Sequence, residues 1–358
     1  NGFMRGNIFD IFYQLSMLSI VIPKERVLKK VGLRYNYSIG LGVCRMNKKI
    51  IDKYTKEYGV RFSRRQKRKA SLVLFEDMKD AGYEGTMISG RKVFSKAENY
   101  LFGNIKTMKT VIVIPFDTPQ HCFWRRVSYY PLNGNKSANK SVLPMFAPVI
   151  LLYLMVFVML WIADHFVTSP QLAFGISLFI YFLIFFLLYL MTIGIANRNN
   201  YNRYSLSVAT AIELAQKLGK DEKRKVGFLF TDKNKTRYYG AQLAVDKFIQ
   251  ENKNPDFICI DCIGEGSVIQ IGYNPNMRKM AVKLKQKENI DLVKLSETMR
   301  MQNAMGVFSH AVVIARGDLD KDNELCLTTT CTSKDKHIEE SMADDVVEML
   351  YNYLCKLS

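Results

Sequence analysis

The chain has 358 residues, with 51 Lys and Arg against 33 Asp and Glu and a net charge of +18. Its 7 cysteines are odd in number and irregularly spaced, several of them inside apolar runs, which excludes a disulfide-stapled secreted scaffold and fits a reducing compartment. A pI near 9.5 suits anionic lipid or nucleic acid; nucleic acid is set aside, because no recognition motif or interleaved aromatic platform accompanies the basic residues.

Asn1–Pro23 does not read as a cleavable signal peptide: Asp10 and Gln14 interrupt its apolar run and no small-residue cleavage motif follows. Within it, Ile8–Ile22 reads as an interfacial helix or as a helix packed on the body of the domain. Asn47–Tyr58 and Ser71–Ala81 are predicted helices, the second closed by Gly82. Between them Arg64, Arg65, Lys67, Arg68 and Lys69 form the densest basic cluster. It reads as a solvated helix face or as a contact with anionic headgroups. From Gly85 the period changes to two. Thr86–Val93 and Glu98–Phe102 are predicted strands, Val111–Pro115 is a short buried strand, and Ser128–Lys140 is a polar loop.

Phe146–Ala163 and Leu172–Ala196 are apolar and carry no charge. A bilayer core about 30 Å thick needs about 20 apolar residues in a helix. The pair is therefore predicted to be a transmembrane hairpin over 143–197, with a pair of buried core helices as the alternative. It would split an α/β body into residues 1–142 and 198–358. The link Asp164–Gln171 has no Lys or Arg, whereas Lys136, Lys140, Arg198 and Arg203 flank the runs. Basic residues mark the cytoplasmic side, so the expectation is an integral membrane protein with two spans and both termini cytoplasmic. Few polar groups lie inside the runs, which argues for an anchor or docking surface rather than a conduit.

Beyond the hairpin, Ser205–Leu218, Arg237–Asn252, Asp291–Arg300 and Asp344–Leu357 are predicted helices. Lys225–Thr231, Asp256–Ile263, Ala311–Ala315 and Leu325–Thr329 are predicted strands. This alternation predicts an α/β fold with a helix-flanked, mostly parallel mixed sheet. Cys259 and Cys262 form a lone C-x-x-C, but residues three apart on a strand face opposite ways, so the pair reads as core. The four histidines offer no H-x-x-x-H, and there is no P-loop, nucleophile elbow or kinase motif set.

Four stretches, taken in order, resemble the di-zinc aminopeptidase family of the zinc exopeptidases. AENYLFGNIKTMKTVIVIPFDT (Ala97–Thr118) is similar to the family's strand turn and its strand ending in H-x-D-T. SVATAIELAQKLGKDEKRKVGFLFTD (Ser207–Asp232) is similar to the helix after the family's D-N-A-S-G motif and the strand leading to its Glu-Glu pair. DFICIDCIG (Asp256–Gly264) is similar to N-x-D-M-I-G, and TCTSKD (Thr330–Asp335) to the terminal H-T-x-x-D. The resemblance implies a zinc-exopeptidase-like fold with the hairpin inserted in it. In the family, carboxylates and histidines hold two zinc ions and a Glu activates the bridging water.

The same resemblance implies a dismantled site. Pro115 stands at the first His position, with Asp117 retained. Arg203 falls near the bridging Asp, Asn234–Lys235 replaces the Glu-Glu pair, and Asp261 keeps the third-strand carboxylate. Cys331 replaces the last His, with Asp335 retained. Two zinc ions bring four positive charges and need anionic or neutral donors, so Arg203 and Lys235 would pair with Asp117, Asp261 or Asp335 instead. The expectation is a non-catalytic, membrane-anchored relative without metal or cofactor. Its hairpin or cleft would bind a membrane protein, such as a transporter, or a peptide end. The alternative is an active metallo-aminopeptidase with an atypical site drawing on Asp117, Asp261, Cys331 and Asp335.

Overall fold

Strands of alternating or continuous apolar character build the centre of the protein. They are β1 (Gly85–Lys92), β2 (Ser95–Phe102), β3 (Thr110–Pro115), β4 (Val226–Thr231), β5 (Asp256–Asp261), β6 (Val268–Tyr273), β7 (Ile290–Lys294), β8 (Ala311–Leu319) and β9 (Leu325–Cys326). The computed structural model describes residues 45–356 except 93–94, 123, 125, 167–168 and 235–237. The helix expected over Ile8–Ile22, and Lys235 of the expected cleft, lie outside the described residues.

The strands form one 9-stranded sheet in the order β1-β2-β4-β3-β5-β8-β6-β7, with β9 on β8. β4, β3, β5 and β8 run parallel at its centre, and antiparallel pairs flank them. β3 is the pivot. The chain passes from it to β4 on one side, then crosses to β5 on the other. In such sheets the crevice outside the strand C-termini at the switch point is where a site forms.

Alternation sorts the core. Ile112 and Ile114 of β3, with Phe228 and Phe230 of β4, face one layer of buried residues, while Val111, Val113 and Leu229 face the other. Both faces of the sheet are covered, which is why these strands read as unbroken apolar runs. Cys259 packs in the second layer, and Cys262 is fully buried just past β5.

The helices are α1 (Lys48–Asp52, continued as a π-turn to Glu57), α2 (Arg64–Asp80), α3 (Gly134–Phe166), α4 (Pro170–Ile193), α5 (Leu206–Lys217), α6 (Lys220–Lys225), α7 (Tyr239–Gln250), α8 (Arg278–Leu284), α9 (Glu297–Arg300) and α10 (Glu340–Cys355). Helix α2 begins seven residues earlier than the expected Ser71, at a capping box in which Ser63 and Gln66 exchange hydrogen bonds. The earlier start takes the basic cluster into the helix and corrects the reading of Lys67. Lys67 shares the inner face with Ala70, Ser71, Leu74 and Met78 and is buried, whereas Arg64, Arg65, Arg68 and Lys69 remain exposed.

Other boundaries move for similar reasons. Asp291–Arg300, expected as one helix, is strand β7, paired in parallel with β6, followed by the short α9. Ser128–Lys140, expected as a loop, gives its last turns to α3, which starts at Gly134. Asn133 closes that start by accepting from the Lys136 N–H at 3.0 Å.

Helices α3 and α4 enter between β3 and β4, so strands from both sides of the insertion share one sheet. Both are long and apolar enough to cross a membrane, and only 6% of each apolar window is buried. Phe157, Phe174 and Phe182 are 70–78% exposed. Neither helix is buried within this chain.

Candidate functional site

The crevice at the C-terminal ends of β3, β4 and β5 gathers the described members of the expected set from five separate segments. A latch holds its floor. Arg61, fully buried, donates to the Phe116 carbonyl just past β3, to the Tyr58 carbonyl at 2.6 Å and to the Ser205 hydroxyl at 3.2 Å. Burial pushes this guanidinium down to about 10, and it stays charged at neutral pH. The latch fixes the end of β3 against the π-turn Tyr201–Ser205, which carries Arg203.

On the β4 side the described polar groups engage one another. Asn234 donates to Asp117 from its backbone N–H at 3.2 Å and from Nδ2 at 2.6 Å. Its Oδ1 accepts from the Thr231 hydroxyl at 3.0 Å. Lys67 forms a buried ion pair with Asp232, which also accepts from the Lys233 N–H at 2.7 Å. Asn99 bridges from the Asp232 N–H to the Gly240 carbonyl, at 2.9 and 2.7 Å. The start of α7 presses so close here that a Cβ on Gly240 would stand 2.1 Å from the Asp232 carbonyl oxygen. Burial and the neighbouring Asp232 push the Asp117 carboxyl up, against Lys67 and Asn234, which favour its charged form.

On the β5 side, the Tyr129 hydroxyl donates to Asp261 and the Cys262 thiol donates to the other carboxyl oxygen at 3.2 Å. Asp335 accepts the backbone N–H groups of Asn202 and Arg203 at 2.7 and 3.3 Å. Burial raises both carboxyls. Arg203 is only 8% exposed. Its guanidinium lies 3.2 Å from the centre of the Tyr129 ring and donates from Nη1 to Cys331 Sγ at 3.2 Å. This corrects the expected pairing with carboxylates: Asp261 is taken by Tyr129, and Asp335 is reached by the backbone of residue 203 rather than by its side chain.

Cys331 has a second thiol neighbour. Cys122 donates its backbone N–H to the Cys331 carbonyl at 2.8 Å. A hydrogen bond from the Cys122 thiol, aided by Arg203 and opposed by burial, brings Cys331 down to about 6. The Cys122 thiol is pushed up correspondingly. The sequence offered no signal for Cys122, Tyr129 or the Lys67–Asp232 pair, since each is brought in by the tertiary fold.

Above these residues opens a cavity of about 800 Å³. Its wall includes Arg203, Asn234, Tyr238, Arg300 and Cys331, together with Gly134, Ser137 and Ser141 from the first turns of α3. The helix pair is therefore rooted in the cleft. Its return end is held there too, by His121 N–H to the Ile195 carbonyl at 2.7 Å and Asn197 N–H to the Pro119 carbonyl at 3.0 Å.

No family model matches the chain, and no curated protein matches it. Solved structures do. Porphyromonas gingivalis glutaminyl cyclase aligns with a TM-score of 0.53 at 10% identity, over 87% of this chain and 99% of that one. The LapA aminopeptidase of Legionella pneumophila aligns at 0.51 with 9% identity, over 87% of this chain and 70% of that one. Macrostomum lignano glutaminyl cyclase aligns at 0.50 with 10% identity, over 87% and 89%. The fold is that of the aminopeptidases and glutaminyl cyclases.

Within this aminopeptidase-like fold the residues present do not suit a pair of zinc ions. Pro115 has no donor atom, the carboxyl oxygens of Asp117, Asp261 and Asp335 are turned to the partners named above, and Arg203 brings a cation into the crevice. Among the described residues, no three His, Cys, Asp or Glu side chains converge where they could hold one metal ion. Of the expected set, Arg203, Asn234 and Cys331 line the cavity itself, Asp117, Asp261 and Asp335 lie behind them, and Pro115 ends β3 in register with Thr231.

Proposed function

We propose that this chain is a membrane-anchored, catalytically inactive member of the aminopeptidase-like fold that serves as a binding or scaffold subunit for a membrane protein or a peptide. The observation that carries the reading is the buried Arg203 guanidinium in the crevice where this fold would otherwise assemble metal donors. A cation held there by Tyr129 and Cys331 opposes divalent ions electrostatically. The exposed apolar faces of α3 and α4 supply the second half. Contiguous apolar surface of this extent calls for lipid or another protein around it.

Orientation follows from the basic residues that remain free. Lys136 is engaged by Asp320, Asp322 and Glu324 at 2.7–2.9 Å, and Arg203 is buried, so neither contributes to a membrane-edge charge bias. Lys140 and Arg198 are exposed at the root of the helix pair, and the link between the helices has no Lys or Arg. On this reading both halves of the α/β body lie in the cytoplasm, a location that the bias of these basic residues supports.

The test has two arms. Protein purified in detergent and dialysed against zinc should retain no stoichiometric metal and release no amino acid from an aminopeptidase substrate panel. One or two zinc ions per chain, lost in Asp261→Ala together with turnover, would sink the proposal in favour of an atypical metallo-aminopeptidase. In the second arm a membrane partner should co-purify and be lost when α3 and α4 are replaced by an unrelated hairpin.

A further inference from the structure

The cavity beside Arg203 has a sign. Arg203 and Arg300 both stand in its wall, and the Nε of each is buried without a hydrogen-bond partner among the described residues. The plane of the Arg203 guanidinium is fixed on one face by the Tyr129 ring, and Nη1 is spent on Cys331. What remains is its Nε edge. A buried cationic donor with no acceptor is costly, and two oxygens of one planar anion are the natural complement to such an edge.

The carboxylates nearby cannot serve. Asp117 is held by Asn234, Asp261 by Tyr129 and Cys262, and Asp335 by two backbone N–H groups. Among the described wall residues the acidic groups are Glu297, which is exposed, and the Cys331 thiol, which already shares Nη1 of Arg203. A peptide amine would therefore meet two arginines, while an anion would meet their unpartnered edges, sharing Arg203 with Cys331.

We propose that this cavity is a binding site for a free carboxylate, carried by the C-terminus of a peptide or by a small organic acid. Its volume of about 800 Å³ lies in the range that encloses a short peptide segment or a small molecule. The single free edge on Arg203 and the presence of Glu297 favour a monoanion over a phosphomonoester dianion. The polarity is the reverse of an aminopeptidase, which must take hold of a peptide at its amino end. The inference rests on the proposal that the cleft binds without cutting.

The test uses the full chain in lipid nanodiscs, titrated with acetyl-Ala-Ala-Phe, its C-terminal amide, acetyl-Phe and phenyl phosphate. The free-acid tripeptide should bind saturably and its amide about tenfold more weakly or worse, about 1.4 kcal/mol per tenfold. Arg203→Lys, which keeps charge but loses the planar edge, should weaken the acid about tenfold and leave the amide unchanged. Arg300→Gln should do the same to a smaller extent, and it serves as the measure if the buried Arg203→Lys variant does not fold. Tripeptide binding well above acetyl-Phe assigns the site to peptide ends, and equal binding assigns it to small acids; either supports a carboxylate site. Equal binding of acid and amide, tighter binding of phenyl phosphate, or no saturable binding at millimolar concentration would overturn it. Recovered peptide is weighed by mass spectrometry. Cleavage would defeat the inactive-scaffold reading while leaving the acid-over-amide preference to stand or fall separately.

Discussion

On the β4 side of the cleft, Lys67, Asp232, Asn99, Asp117 and Asn234 close on one another. On the β5 side, Arg203 keeps a buried Nε without a partner among the described residues, and Cys331 is held as a polarised thiol. Both sides sit at the ends of parallel strands in the same sheet and at comparable depth. The difference lies in whether the hydrogen-bond inventory balances. Where it does, buried charge is structural, and its removal should register as lost stability. Where it does not, the leftover donors belong to side chains in a cavity wall, and their removal should register in ligand binding or thiol reactivity.

The largest effect should come from the balanced side. Lys67→Met leaves Asp232 buried without its cation, and breaking one partner of a buried pair costs about 3–5 kcal/mol. Thermal or urea unfolding of the detergent-solubilised chain should show this loss, with much of it recovered in Lys67→Met/Asp232→Leu. A single variant as stable as the parent would mean that Lys67 behaves like its exposed neighbours Arg68 and Lys69. Asn234→Ala comes next. It strips Asp117 of its Nδ2 donor and should cost about 1–3 kcal/mol by the same assay.

These two positions also mark how far the sequence was legible. The strands around the pivot, β3, β4 and β5, were readable because a strand buried on both faces has to be apolar throughout. The insertion of an apolar helix pair within an α/β body was equally plain, since two uncharged runs admit few other structures. Lys67 was misplaced because five basic residues in six positions look like a surface. Only the phase of α2, set by the Ser63–Gln66 capping box, turns one of them inward among Ala70, Leu74 and Met78. Strand β7 was mistaken for a helix because the short run Ile290–Lys294 is apolar at spacings that fit either period. Arg203 was found through family resemblance, yet its partners were not. Tyr129 and Cys122 arrive from the segment before α3 by tertiary contact alone, and no local pattern announces them.

Thiol chemistry tests the unbalanced side. Cys331 near 6 is mostly thiolate at neutral pH, so its alkylation by iodoacetamide should plateau above pH 7 and fall about tenfold per unit below 6. Cys122→Ala removes the hydrogen bond that does most of the lowering and should move the midpoint upward by a unit or more, read by mass spectrometry of the alkylated peptide. A Cys331 midpoint near the ordinary thiol value of about 8.5 in the parent would dissolve the contrast between the two sides.

The smallest effect, and the one whose sign is least obvious, concerns Asp261. Burial raises its carboxyl above the ordinary carboxylate range, so the folded state holds that proton more tightly than the unfolded chain does. Stability from this group is therefore fully present below the unfolded value and declines as pH rises through the raised folded value. Asp261→Asn stays neutral at every pH and removes that decline. Its Oδ1 can still accept from the Tyr129 hydroxyl, so the shape of the site is kept. The stability difference between Asp261→Asn and the parent should thus grow in favour of the variant from pH 4 toward pH 7. Taking the difference cancels the opposing contributions of Cys331 and the other raised carboxyls. A difference that instead grows in favour of the parent would mean that Asp261 is held charged by Arg203, restoring the direct ion pair that the Tyr129 contact displaces.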